Sequence, residues 1–146
     1  MRSPVVWLVG LLTLAVAQTI VGAGQAPAER SVWSGVYSEQ QAKRGETLYV
    51  VQNCSACHGT ALEGGEMAPP LAGGPFNSNW NGLSLGDIVE RIRISMPADR
   101  PGSLTRPQAI DILAFMLIVG GFPTCNTELP RELENLKQIS FEAFKP

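Results

Sequence analysis

"CSACHG", residues 54–59, holds two of the chain's three cysteines and its only histidine in five consecutive positions. What precedes it reads as a helix. "SEQQAKRGETLYVVQN" (38–53) opens with Ser38 and Gln41 at capping-box spacing and puts Ala42, Leu48, Tyr49 and Val51 on one broadly apolar side. This helix is expected to run straight into Cys54. Gly45 inside it costs about 1 kcal/mol relative to alanine, which predicts another backbone packed closely there, with Tyr49 one turn on filling the adjacent space.

Downstream, residues 59–83 are rich in glycine and proline and show little periodicity, the signature of a long ordered loop. Loops of that length commonly wrap something or carry function. "SLGDIVERIRI" (84–94) restores helical spacing through Leu85, Ile88 and Ile92, with Ser84 as cap and Asp87 in the first turn, and stops at Met96-Pro97. "ADRPGS" (98–103) is turn chemistry. "TRPQAIDILAFMLIVGG" (105–121) has a Thr105/Gln108 box, Pro107 in the first turn and Gly120-Gly121 at its end, the strongest helix of the chain. The tail beyond Pro123 is acidic, with one short helix expected near Arg131 to Lys137. No strand alternation is visible, so the fold class is all-α, with three main helices.

C-x-x-C-H is the attachment run of a c-type haem. Two sulfurs three residues apart can form thioethers to the two vinyl groups on one porphyrin edge, and the next residue then places an imidazole under the iron. Three other chemistries compete for these residues. A thioredoxin-like dithiol needs a βαβ setting, which the pattern does not offer. A structural zinc site needs four ligands, and only Cys54, Cys57, His58 and Cys125 could supply them. A plain disulfide between Cys54 and Cys57 is the third.

The rest of the chain bounds the setting. Its 146 residues suit one domain, and 45% apolar against 16% charged residues allow a real core. A formal charge of −2 without any basic run excludes nucleic acid as a partner. At the N-terminus, Met1-Arg2-Ser3-Pro4 is a short basic region and Val5 to Ala17 an apolar stretch broken only by Gly10 and Thr13. Ala15-Val16-Ala17 then offers small residues for cleavage, with Gly24-Gln25-Ala26 as a second site. The expected organisation is a signal peptide over 1–17, or to 26 by the second cleavage site, a flexible leader over 18–37, and a domain over 38–146 with an acidic C-terminal tail. An uncleaved membrane anchor is the alternative, since the apolar run barely reaches the roughly 20 residues that span a bilayer. Either way the domain is expected to be exported, to the periplasm.

The motifs from Gly45 to about Leu129 resemble, in order, those of class I c-type cytochromes. "GETLYVVQNCSACHG" (45–59) is similar to the family's first helix and haem site, "APPLAGGPF" (68–76) to its proline–leucine segment on the histidine side, "RIRISMPADRPGSLT" (91–105) to its methionine loop and "AIDILAFML" (109–117) to its last helix. More narrowly, the "APPL" segment with Phe76 and Trp80, "MPADRPGSL" and "GFPTCNTEL" (121–129) resemble the small cytochrome modules that accompany quinoprotein (PQQ) dehydrogenases. The resemblance implies a cytochrome c-like fold, three main helices packed around one covalently bound haem. It implies no enzymatic role but one-electron transfer, with a quinoprotein dehydrogenase as donor and another cytochrome or a terminal oxidase as acceptor. The alternative is a haem enzyme or gas sensor with an open sixth position, against which stands the lack of any histidine besides His58.

A sulfur ligand opposite His58 would close the iron and raise its potential. Met116 sits mid-helix beside Ile112, Phe115 and Val119, as core filler would. Met67 lies in the glycine-rich loop just before the proline segment that belongs on the histidine side. Met96 ends a helix in a turn able to present its sulfur, and it stands where the family has its ligand. By the same resemblance, the Pro69 carbonyl accepts the other His58 ring N–H and Leu71 packs on the porphyrin; the alternative is that the two prolines only stiffen the loop. Trp80 could donate to a propionate or be a plain buried aromatic. Arg91, Arg93 and Arg100 are candidate propionate partners, with solvated side chains the default. Gly45 and Tyr49 are expected to meet Phe115 where the first and last helices cross. Cys125 departs from the pattern, which commonly has glycine there; it is an unreactive thiol or the means of an intermolecular disulfide.

Overall fold

The computed structural model describes residues 30–146, so the expected signal peptide and most of the leader lie outside the described residues. Four longer helices and two single turns follow in the order α1 (Glu39–Val51), α2 (Ser55–His58), α3 (Gly73–Trp80), α4 (Leu85–Ser95), α5 (Arg106–Val119) and α6 (Leu133–Leu136). The all-α reading holds, and α1, α4 and α5 are the three expected helices. Among the described residues no helix is long and apolar enough to cross a membrane.

Each main helix begins where its sequence offers a side-chain oxygen to an otherwise unpaired N–H. Ser84 and Asp87 cap α4 reciprocally, and Thr105 and Gln108 do the same for α5. At α1 only half of the expected box forms. Ser38 Oγ accepts from the Gln41 N–H at 3.1 Å, but the buried Gln41 carboxamide turns inward and accepts from Leu129 N at 2.8 Å. It ties the tail to α1 instead of closing the cap.

α1 crosses α5 at Gly45. A β-carbon there would collide with the Asp111 carbonyl oxygen and lie 3.0 Å from Phe115 Cβ, so only glycine allows the helices this close. One turn on, Tyr49 meets Phe115 with ring centroids 5.4 Å apart, which fits the expected crossing. On the outer side Arg44 grips Asp111 through Nε and Nη2 (3.0 and 3.1 Å) and reaches Glu128 at 2.8 Å.

Three features correct the sequence reading. First, the loop over 59–83 contains α3. Pro75 sits in its first turn, where the missing N–H costs nothing, and Phe76 and Trp80 pair one turn apart at 6.2 Å; the glycines at its start hid this helix. Second, residues 30–37 are not a flexible leader. Val32, Val36 and Tyr37 are buried, and the Tyr37 hydroxyl donates to Phe122 O at 2.7 Å. Third, two short strands exist: β1 (Arg30–Ser31) pairs in parallel with β2 (Ile139–Ser140), Arg30 opposite Ile139 and Ser31 opposite Ser140. The acidic tail beyond α6 therefore belongs to the core. Its Phe141 touches both Phe76 (5.7 Å) and Phe122 (5.2 Å), and Phe122 touches Trp33 (4.7 Å).

Candidate haem site

The first helix does not run into Cys54 as expected. It ends at Val51, and Asn53 adopts φ 61°, a left-handed conformation that asparagine tolerates better than most residues. This break redirects the chain and lets the single-turn α2 present Cys54, Cys57 and His58 on a separate element. The turn is hydrogen-bonded back to α1 through Cys54 N to Tyr49 O at 3.0 Å, and closed on itself by His58 N to Cys54 O at 3.0 Å. The Tyr49 hydroxyl donates to Gly59 O at 2.7 Å, pinning the residue after the histidine, and burial pushes its pKa up to about 12.

His58 is buried, at 7% exposure. Its Nδ1 lies 2.8 Å from the Pro69 carbonyl oxygen. A carbonyl can only accept, so Nδ1 carries the proton and Nε2 keeps a free lone pair, the tautomer that a metal-ligating histidine needs. The loop behind the proline is built to hold that carbonyl. Gly64 N bonds to His58 O at 2.8 Å and Leu71 N to Leu62 O at 2.9 Å. Gly64 has φ 75°, and a β-carbon on it would lie 2.5 Å from Pro70 N. Gly64 and the fully buried Leu62, at φ 62°, are site-shaping residues that the sequence reading did not single out. A glycine six positions after the histidine was the visible signal.

Both thiols of the motif are free, as is Cys125. Cys57 is exposed. Cys54 is half-buried, and burial holds its pKa above the ordinary thiol value although the Arg100 charge pulls the other way. That charge comes from the methionine loop. Arg100 Nη1 lies 3.4 Å from Gln52 Oε1 at the end of α1 and its Nε 3.3 Å from Asp99, so the turn after Met96 rests beside the cysteine segment. Met96 itself caps the end of α4, half-buried, its N–H on Ile92 O at 3.0 Å. Met116 is in the core, whereas Met67 is 81% exposed. Leu71 and Trp80 are half-buried against the core, together with Leu48, Ala72 and Ile92. Arg93 is held by Glu90 through two bonds of 3.0 Å, and Arg91 is exposed.

Cys125 stands elsewhere, at Gly35, its sulfur 3.1 Å from Thr127 Oγ1. Among the described residues it joins no group of three or more potential ligands with Cys54, Cys57 and His58, which removes the four-ligand zinc geometry. Two free thiols, a histidine with an available Nε2 and an incompletely covered apolar wall fit a c-type haem.

Fold and site together define a class I c-type cytochrome module. Residues 40–116 match the family described as cytochrome c oxidase, cbb3-type, subunit III, and the chain belongs to this c-type cytochrome family. Among solved structures it is similar to the sulfane dehydrogenase SoxCD from Paracoccus pantotrophus, with a TM-score of 0.51 and 22% identity over 85% of this chain and 68% of that one, a likeness of fold. No curated protein matches it.

Proposed function

We propose that the chain is a one-electron carrier holding a single haem, joined through thioethers to Cys54 and Cys57 and ligated by His58 and Met96. The observation that carries this reading is the buried His58 with Nδ1 committed to Pro69 O, next to two unpaired thiols. When bound, such a haem supplies an Fe(III)/Fe(II) couple. The protein's own part is to hold the imidazole in one tautomer and orientation, to cover the group with Leu71 and Trp80, and to offer a thioether sulfur from the turn at Met96. Fixed ligands keep reorganisation small when the charge changes. Val50 and Val51, exposed just before the break in front of Cys54, would give an apolar rim to an electron port at the cysteine edge.

The redox partners we assign are a quinoprotein dehydrogenase as donor and a cytochrome or terminal oxidase as acceptor, in the periplasm. SoxCD is itself named a dehydrogenase, and a carrier that serves a dehydrogenase suits this role. The test has two parts. Protein made with a c-haem maturation system should keep its colour through acid–acetone extraction; transfer of all colour to the organic layer refutes covalent attachment. The oxidised protein should show the weak far-red charge-transfer band of a sulfur–iron bond. Met96→Ala should abolish it and lower the potential, whereas Met67→Ala and Met116→Ala leave it in place. Rapid carbon monoxide binding by the wild type, without that band, would refute Met96 as ligand.

A further inference from the structure

Charge is divided sharply along this chain. From Gly45 to Val89 there is no lysine or arginine, whereas Glu46, Glu63, Glu66 and Asp87 are acidic. Glu63 and Glu66 stand exposed in the loop that holds the Pro69 carbonyl to His58. Residues 90–106 reverse the sign. They carry Arg91, Arg93, Arg100 and Arg106 against Glu90 and Asp99, a charge of +2 in a chain whose total is −2, which leaves −4 on the remainder. This segment is the last turns of α4, the turn after Met96 and the first residue of α5. The loop beside His58 is thus acidic and the surroundings of Met96 are basic.

Local structure does not account for the arginines. Arg91 and Arg100 are exposed. Arg93 and Arg106 share one carboxylate: Glu90 accepts two bonds of 3.0 Å from Arg93, while Arg106 Nε stays 3.7 Å from it, without a hydrogen-bond partner among the described residues. Arg106 also opens α5, where the helix dipole favours an acid. Arg100 reaches Gln52 at the end of α1, next to the exposed Val50 and Val51, and Ile94 is exposed one turn after Arg91. Apolar contacts edged by polar and charged groups are the anatomy of a protein docking surface. Guanidinium forks match carboxylates in particular. Anionic bilayers are met instead by clusters of about 4–8 basic residues, and here acids are interleaved.

We propose that this face, from Arg91 to Arg106 and on to Val50 and Val51, is where the carrier docks a redox protein whose own contact surface is acidic. The proposal rests on the haem reading above. The acidic remainder of the chain repels such a partner from other approaches, so the arginines set its orientation as well as attract it.

The experiment reads the salt dependence of electron transfer to two small probes. In stopped flow the reduced, haem-loaded protein is oxidised by ferricyanide, an anion, or by tris(phenanthroline)cobalt(III), a cation, each accepting one electron. Net charge and local charge predict opposite results. With the basic face at the electron port, raising salt should slow ferricyanide by about tenfold, the lower end of what steering contributes, and speed up the cobalt complex. R91Q/R100Q should flatten both slopes. R30Q/K145Q removes the same amount of charge at the two ends of the described chain and should leave them. Ferricyanide oxidation that speeds up with salt in the wild type overturns the proposal, as do slopes that the two double variants change alike. Binding of the wild type, but not of R91Q/R100Q, to anionic lipid vesicles at physiological salt also overturns it and gives the face to a membrane. Loss of all colour on acid–acetone extraction defeats the haem reading instead, a result distinct from a reversed slope.

Discussion

Gly45→Ala sets two effects of opposite sign against each other. Helix propensity alone says that alanine stabilises α1 by about 1 kcal/mol. The crossing says otherwise. The new methyl would collide with the Asp111 carbonyl oxygen and sit 2.5 Å from Asp111 C and 3.0 Å from Phe115 Cβ. That carbonyl belongs to the hydrogen-bonded backbone of α5 and cannot swing aside. Restoring ordinary contact of about 3.5 Å or more requires the helices to part by roughly 1 Å. Overpacking of this kind costs about 1–3 kcal/mol, occasionally more. Parting the helices also loosens the Tyr49–Phe115 pair, a contact worth about 0.5–1.5 kcal/mol. The balance is a net loss of about 1–3 kcal/mol. At about 3–5 °C per kcal/mol for a chain of this size, the melting temperature of the haem-loaded protein should fall by roughly 3–15 °C, read from helical circular dichroism. A melting point equal to or above the wild type would refute the close-approach argument and leave propensity as the governing term.

Other outcomes follow from the same contacts. Cys57→Ser should leave one thioether and shift the α-band of the reduced protein; an unmoved band means Cys57 is not attached. Asp87→Asn should weaken the first turn of α4 by about 0.3–1 kcal/mol at neutral pH, through loss of the carboxylate charge at the helix N-terminus. Because hydrogen bonds from Ser84 hold the Asp87 carboxyl below its usual pKa, its contribution is complete above the unfolded value near ~3.9 and is lost as pH falls through the lower folded value. Denaturation curves of variant and wild type should therefore converge in acid. Mass spectrometry of periplasmic material should find cleavage after Ala17 or Ala26 with one haem added; full-length protein confined to membranes would instead mean an anchor.

The parts of the fold legible in the sequence are those fixed by local chemistry. α4 and α5 announce themselves through reciprocal caps and helical spacing, and Gly45 through its cost in a helix that otherwise has no reason to carry it. The motif at 54–58 is legible because both sulfurs and the imidazole must come from one short run. What escaped depends on the rest of the chain. The break at Asn53 is a single left-handed residue in a polar stretch. The Gln41 carboxamide abandoned the cap for Leu129 N, 88 positions away, and no local pattern reports such a choice. α3 was masked by Gly73 and Gly74, although Phe76 and Trp80 already stood one turn apart.

Residues 30–37 and the segment beyond α6 escape for a more general reason. Two-residue strands are too short to show alternation, and Leu136, Ile139, Phe141 and Ala143 are spread among charged and polar neighbours, so the segment reads as an acidic tail. In the fold these residues are buried. Phe141 is also bonded into the α3–α4 connection, with Gly82 N on Phe141 O at 2.9 Å and Phe141 N on Leu83 O at 2.7 Å, while Ala143 N reaches Asn81 Oδ1 at 2.8 Å. Trp33, Phe122, Phe141, Phe76 and Trp80 thus touch in series, from the N-terminal segment through the tail to α3. Close packing transmits displacement from one ring to the next. The tail therefore supports α3 and the α3–α4 connection from outside, through long-range contacts that no local pattern in the sequence reports.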